Sequence, residues 1–459
     1  MPARRLTFTI ALCCALAALM ATASAASGHT VLRGTRDASI CTKSAVNTSP
    51  RVHFLATKLG ARVLRFDVDW DDLEDERGVY DQVYFDRLAT TIHAAASEGM
   101  QVIVTIFGTP RWASDRSLWG MVPPGYKSGY YHFFYPPSLD HLDDLQAFAT
   151  HMATAFAGDV TGYECRNEPN LWGSLYPQRT ASDAAFGVRR YAAMLTAFSK
   201  GIRAGDPHAL VIAGATSPIG DNSAMRTSPQ RFARLLKKLV PSSVFDAYSH
   251  HPYTIGGSRN KAPEAMPNDP SRAVSLGNIS TLLKIFPDKP FYLTEYGYYT
   301  QYSALFGIYV NQPTQASYLT RAYRYCARFP QVKALIWFPY HDSRNKVWGT
   351  YSGLVTDGGS YKRSWYAFAR GNSLTLNARR SDDVVRLSGR LSSLAMGGLA
   401  GKKLVVYGRL PGRSWWAVQT ITTRTGGAYR LSLTVPERAS YRVAWSGVVR
   451  SRVLTVAGE

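Results

Sequence analysis

From about residue 51 to residue 370 the chain alternates short apolar runs with amphipathic stretches. The apolar runs are 63–66, 101–107, 160–165, 210–213, 244–248, 291–294 and 332–338. Between them, apolar residues recur at helical spacing over 84–97, 142–156, 184–204, 229–239 and 315–329. Regular strand–helix–strand alternation predicts parallel strands joined by crossover helices. Seven strands are evident, and an eighth, the first, is expected just before Cys41. Eight units at about 43 residues each fit an α/β fold of the (β/α)8 TIM barrel type with elaborated loops.

After Gly371 the texture changes. Runs 384–387, 403–407, 415–420, 428–434 and 441–445 alternate with period two. Turns such as Pro411-Gly412 and Gly426-Gly427 separate them, and no helical period appears. This predicts a small all-β sandwich domain over 373–459 after a barrel over 26–372. In Trp415-Trp416, alternation places one indole in the core and leaves the other as a surface for a sugar.

The first residues carry an address. Arg4 and Arg5 precede an apolar run over 10–20, followed by the small-residue site Ala23-Ser24-Ala25. This is the pattern of a secretory signal peptide over 1–25, its apolar run too short to span a bilayer. The mature protein is therefore expected to be secreted, with no membrane span after cleavage. Three cysteines remain beyond that segment, Cys41, Cys165 and Cys326. An odd, widely scattered set is no disulfide framework, allows at most one bridge, and reads as buried thiols.

Charge adds a partner class. The chain has 53 Lys and Arg against 32 Asp and Glu, a net charge of +21. Residues 373–459 hold 14 basic and 4 acidic side chains, about half the excess on a fifth of the length. Such a balance draws a protein toward polyanions: nucleic acid, anionic lipid, or acidic wall polymers and exopolysaccharides. It equally suits general solubility, and the last domain reads either as a polymer-binding module or as a stabiliser of the barrel. No Lys/Arg block or nucleic-acid module is visible, so nucleic acid is not an expected partner.

The strongest local signal is Tyr163-Glu164-Cys165-Arg166-Asn167-Glu168-Pro169-Asn170 at the end of an apolar strand. Barrels place catalytic groups where strands end on the carboxyl face. Asn-Glu-Pro in that position resembles the acid/base motif of clan A glycoside hydrolases, retaining enzymes built on (β/α)8 barrels, and specifically families 5 and 39. Retention needs a second carboxylate about 5–5.5 Å from the first. The resemblance implies that it ends strand seven, three units on, near residue 297. The sequence there is Phe291-Tyr292-Leu293-Thr294-Glu295-Tyr296-Gly297. Glu168 is thus implied as acid/base and Glu295 as nucleophile. In such a pair the charge on one carboxylate keeps the other protonated until the sugar esterifies the first.

The resemblance also implies supporting residues. Arg65 on strand two would hold the nucleophile. Asn167 would bond the sugar 2-hydroxyl. In Ser249-His250-His251-Pro252-Tyr253, Tyr253 would bond Glu295 and His251 would line the subsite. Trp337 on strand eight would floor that subsite. Trp112, in Gly108-Thr109-Pro110-Arg111-Trp112-Ala113, together with Trp119 and Trp172, lies on carboxyl-face loops where indoles stack on sugars. The Tyr-, Gly- and Pro-rich segment 119–137 reads as a lid or cleft wall.

The likeness covers roughly residues 50–370 and has two departures. Arg166 stands where a tryptophan often precedes Asn-Glu-Pro, and Gly108-Thr109 replaces a histidine common in family 5. Both bear on the substrate more than on the mechanism. No metal-ligand cluster, phosphate loop or dinucleotide motif appears, so no cofactor is expected. The expected activity is hydrolysis of β-O-glycosidic bonds in a polysaccharide. The alternative is a non-catalytic polysaccharide- or cell-wall-binding protein on the same barrel, which would have no need of the carboxylate pair.

Overall fold

The computed structural model describes residues 30–123, 132–254, 261–302, 309–344, 349–369, 372–393, 397–435, 438–446 and 448–458. The expected signal segment lies outside them, as does part of segment 119–137. Among the described residues, no helix is long and apolar enough to cross a membrane.

Eight parallel strands close into a barrel in chain order: β1 (Leu32–Thr35), β2 (Val63–Asp69), β3 (Gln101–Phe107), β4 (Gly162–Cys165), β5 (Leu210–Thr216), β6 (Ala247–His250), β7 (Phe291–Tyr296) and β8 (Val332–Trp337), with β8 pairing back to β1. The first strand ends earlier than expected, and a 3-10 turn over Ala38–Ile40 separates it from Cys41. Long helices Gln82–Ser97, Leu142–Ala155, Phe186–Gly205, Pro229–Leu239 and Gln312–Cys326 carry the crossovers. Gly201 and Gly205 let Phe186–Gly205 touch Leu142–Ala155 backbone to backbone. A Cβ on Gly201 would stand 2.3 Å from the Gln146 carbonyl oxygen.

Side chains alternate along each strand, and the inward set changes character up the barrel. The floor is an apolar layer of Val63, Ile103, Ile212, Ala247, Tyr292, Ala334 and Ile336. Two residues further toward the carboxyl ends the inward positions turn polar: Arg65, Thr105, Glu164, Ser249 and Thr294, all without solvent exposure. Buried polar groups persist only when paired, so this layer must bond to itself and to whatever lies above it. Cys41, Cys165 and Cys326 are free and buried.

Beyond the barrel two five-stranded antiparallel sheets form an all-β region. The first contains β9 (Asn372–Leu374), β10 (Asn377–Ser381), β11 (Val384–Ser393), β12 (Gly397–Gly398) and β15 (Ala428–Thr434). The second contains β13 (Lys403–Arg409), β14 (Trp416–Thr422), β16 (Ala439–Trp445), β17 (Val449–Arg450) and β18 (Leu454–Val456). Neither indole of Trp415-Trp416 enters the core, contrary to the alternation argument. β14 is an edge strand, and Trp416, leaning over Gly408, stays 43% exposed. The barrel and this region share one continuous apolar cluster. At the join, Tyr366 packs on Trp445 at 4.8 Å, and Arg363 donates to the Ser446 carbonyl.

Candidate active site

β4 ends in a tight turn that lifts Glu168 above the barrel mouth. Arg166 and Glu168 both adopt left-handed backbone conformations, with φ of 66° and 43°. Two such non-glycine residues cost on the order of 1–3 kcal/mol each and persist where surroundings fix them. Here the Arg166 amide donates to the Ile106 carbonyl, and the Glu168 amide donates to the Ala215 carbonyl at 3.0 Å. Ala215 is itself left-handed, at an irregularity in β5 that turns its carbonyl toward Glu168.

Glu295 enters from β7, and β6 supplies the groups between the two carboxylates. His251 Nδ1 lies 3.1 Å from Glu168 Oε1 and 3.6 Å from Glu295 Oε2. One ring nitrogen touching both acids caps the gap between those oxygens at the two contacts laid end to end. That upper limit falls at the lower edge of the inverting range of about 6.5–9.5 Å and admits the retaining one. The side chains differ in access, 24% exposed for Glu168 and 11% for Glu295. The Tyr253 hydroxyl donates to Glu295 Oε2 at 3.0 Å.

Arg65 sits beneath the pair, fully buried, with its guanidinium fanned across three elements. Nη1 donates to Glu295 Oε1 at 2.7 Å, Nη2 to Asn167 Oδ1 at 2.8 Å, and Nε and Nη2 to Glu164 Oε2 at 3.0 and 2.8 Å. The structure thus brings together Glu168, Glu295, Arg65, Asn167, His251 and Tyr253. It adds residues that the sequence reading passed over. Glu164, fully buried, also accepts from Thr105 Oγ1 at 2.7 Å and Thr294 Oγ1 at 2.8 Å. Asp67 lies 3.2 Å from Arg65 Nη1 and 2.8 Å from Arg36 Nε. The signal for both was a charge at an inward position of an apolar strand, which demands a buried partner.

Burial pushes the Glu295 carboxyl above its ordinary value, the His251 and Arg65 charges oppose that, and Glu168 adds to it. His251 is itself raised: burial works against its charge, but the two glutamates outweigh burial, so it is cationic in mildly acidic solution. In the nucleophile's role expected of it, Glu295 works only when ionised. The acid limb of kcat/KM should therefore lie above the ordinary glutamate pKa of about 4.3. Replacing His251 by Asn removes a cation that favours the ionised form, so the limb should move further up. A pH profile on an activated aryl glycoside reads both, and a limb at or below the ordinary value would contradict them.

The aromatic expectations fare differently. Trp337 does not floor a subsite: it is fully buried, donates Nε1–H to the Ser352 carbonyl at 2.8 Å, and packs edge-on to Tyr296. It follows the inward Ile336, so the pleat turns it outward into the shell around the barrel. Trp112 is half-buried in packing, edge-on to Trp70 at 5.7 Å and to His141 at 5.5 Å, with Nε1 bonded to the Glu74 carbonyl. Trp172, four residues past Glu168, is half-buried and edge-on to Phe134, among the loop residues Leu118, Tyr135 and Tyr176.

The two departures from the family pattern meet in space. Arg166, 1% exposed, donates from Nη1 to the Gly108 carbonyl and Thr109 Oγ1, from Nε to the Ser174 carbonyl, and from Nη2 to the Phe133 carbonyl. Burial lowers its pKa to about 10. Gly108 has φ of 73°, and a Cβ there would stand 2.8 Å from the Phe133 ring. Among the described residues, no group of three or more His, Cys, Asp or Glu could hold a metal ion.

The profile of the cellulase family (glycosyl hydrolase family 5) matches residues 25–329, the stretch that carries both glutamates. No curated protein matches the chain by sequence. Among solved structures, the chain is similar to a family 39 glycoside hydrolase from the gut symbiont Bacteroides cellulosilyticus WH2, with TM-score 0.53, 17% identity, and 90% of this chain and 81% of that one covered. It is also similar to exo-beta-1,4-mannosidase Op5Man5 from Opitutaceae bacterium strain TAV5, with TM-score 0.50, 18% identity, and coverage of 75% and 59%. A glucosidase from Croceicoccus marinus gives TM-score 0.50, 13% identity, and coverage of 88% and 94%. At these identities the likeness is one of fold.

Proposed function

The chain belongs to the cellulase family, glycosyl hydrolase family 5, and on that footing we propose that it hydrolyses β-glycosidic bonds of a polysaccharide with net retention. The observation that carries the reading is His251 Nδ1 within reach of both Glu168 and Glu295. In the first step a Glu295 oxygen attacks the anomeric carbon while Glu168 gives its proton to the glycosidic oxygen. The C–O bond breaks, an alcohol leaves, and a glycosyl ester remains on Glu295. In the second step Glu168, now a carboxylate, takes a proton from water as the water oxygen attacks the same carbon and Glu295 departs. Two inversions leave the configuration unchanged.

Arg65 and Tyr253 hold Glu295 from opposite oxygens, one cationic and one neutral donor. Such fixed donors orient the carboxylate and take up the charge it regains when the ester breaks. Arg65 also fixes Asn167 through Oδ1, which leaves the Asn167 amide for the sugar 2-hydroxyl. Trp172, packed beside Phe134 on the loop after Glu168, is proposed to wall the cleft. Export is proposed on Arg4, Arg5, the apolar run and Ala23-Ser24-Ala25, and an acidic or wall polymer as partner on the net charge of +21.

The test begins with neutral and acidic polysaccharides, identifying products by mass and reading the anomer first formed by NMR. Inverted product would sink the mechanism, and release of no sugar from any of them would sink the activity. Glu168→Ala should lower turnover of poor leaving groups by about 10²–10⁴-fold. It should spare activated ones and regain rate with azide. Equal loss on both, without rescue, would remove Glu168 from the role.

A further inference from the structure

The second sheet of the C-terminal region presents an outer face that the hydrolytic reading leaves without a task. Leu404 and Val406 of β13 are buried, so Val405, Tyr407 and Arg409 point away from the core. Arg442 of β16 stands directly opposite Tyr407 in the ladder. Trp415 comes in ahead of the edge strand β14. The Arg442 guanidinium lies 4.3 Å from the Trp415 ring centre and 5.2 Å from that of Tyr407, and the Arg409 guanidinium lies 4.8 Å from the same indole. Two cations over one indole form a compact, pre-ordered unit, since a planar guanidinium flat on a ring loses few rotamers when it then binds.

Among the described residues, no carboxylate pairs with Arg409 or Arg442. Described residues between 397 and 458 include ten Lys and Arg and no Asp or Glu. Arg442 Nε is shielded from solvent and, among the described residues, finds no hydrogen-bond partner. Like charges held side by side without an anion repel, whereas a carboxylate in the plane of a stacked guanidinium gains two parallel charge-assisted bonds.

We infer that this face, centred on Arg409, Trp415, Arg442 and Tyr407, binds carboxylate-bearing polysaccharide, that is, chains of uronic acid residues. The inference rests on the reading of the barrel as polysaccharide-acting. The charge selects an anion, and the stacked guanidinia select a planar carboxylate. Both guanidinia lie over the indole that a nucleobase would have to stack on, which is how single-stranded nucleic acids gain affinity on aromatic platforms.

The test measures binding of the full-length protein to polygalacturonate by calorimetry and affinity electrophoresis at fixed salt. Fully methyl-esterified polygalacturonate serves as the uncharged twin, and single-stranded DNA of matched charge as the rival. Wild type should bind polygalacturonate at least about tenfold more tightly than either. Arg409→Gln/Arg442→Gln should lower that affinity about tenfold or more. Arg442→Lys, which keeps the charge but not the flat stack, should also lower it. Arg452→Gln, an equal loss of charge at an exposed position on the same region, should stay within about twofold. Thermal melts of each variant verify folding.

Equal losses from Arg452→Gln and the site variants would overturn the inference in favour of diffuse attraction. Undiminished binding of the esterified polymer, or tighter binding of DNA at the same residues, would also overturn it. Binding is read without turnover, so its failure and a failure of the hydrolase reading are separate outcomes.

Discussion

Glu295→Gln is expected to lower kcat by at least about 10⁴-fold on whichever polysaccharide the wild type cleaves, equivalent to roughly 5.5 kcal/mol of barrier. The substitution keeps the size of the side chain and removes the charge. An amide attacks a sugar carbon poorly, and whichever end its NH₂ takes meets a donor, Arg65 Nη1 at one and the Tyr253 hydroxyl at the other. The loss should fall in kcat and in kcat/KM alike, because what disappears is bond formation in the transition state. A second reading is direct: an activated 2-deoxy-2-fluoro glycoside should add one sugar mass to the wild type, on the peptide containing Glu295, and none to the variant. Labelling elsewhere, or a variant within tenfold of wild type, would assign the nucleophile to another residue.

The second large effect concerns Glu164. Its carboxylate accepts from Arg65, Thr105 and Thr294, contributed by three different strands, with no solvent exposure. In Glu164→Gln one carboxamide end meets donors with a donor of its own, and the Arg65 charge loses its most enclosed partner. Breaking a buried ion pair from one side costs about 3–5 kcal/mol. Urea unfolding should show a loss of that size, and less than about 1 kcal/mol would make the network ornamental. A second readout separates a positioning role from mere stability. Without Glu164, Arg65 acts more fully on Glu295 and favours its ionised form, so the acid limb of kcat/KM should move down, opposite to His251→Asn. A purely structural residue would leave the limb in place.

How much of this is legible in the sequence depends on whether the signal is local. Strands read well where each is a compact apolar run bounded by turn residues: β3 and β15 match their runs end to end. β1 reads poorly, since only four residues, half of them partly exposed, make the strand. The strand-end position of Glu168 and Glu295 is local in the same sense, and barrel spacing links the two. Glu164 is the opposite case. Its meaning lies in Arg65, 99 residues away, and in Thr294, 130 residues away. Trp337 shows the converse limit: a residue at an expected strand end points by the pleat, and beside the irregular β7–β8 register that direction is not readable from spacing. Trp415 and Trp416 fail for a related reason: Trp415 lies ahead of the strand, and β14, an edge strand, buries none of its residues on either face.

The four-way bonding of Arg166 bears on how such a site can change over generations. Its contacts to Gly108 and Thr109 join the two departures from the family pattern in one hydrogen-bonded group. A histidine restored at the β3 end alone would crowd a cation held by main-chain carbonyls, and a tryptophan restored at 166 alone would leave those carbonyls without a donor. Each single step is expected to cost stability, so the two positions are expected to couple, and a double-mutant cycle read by thermal unfolding would measure it.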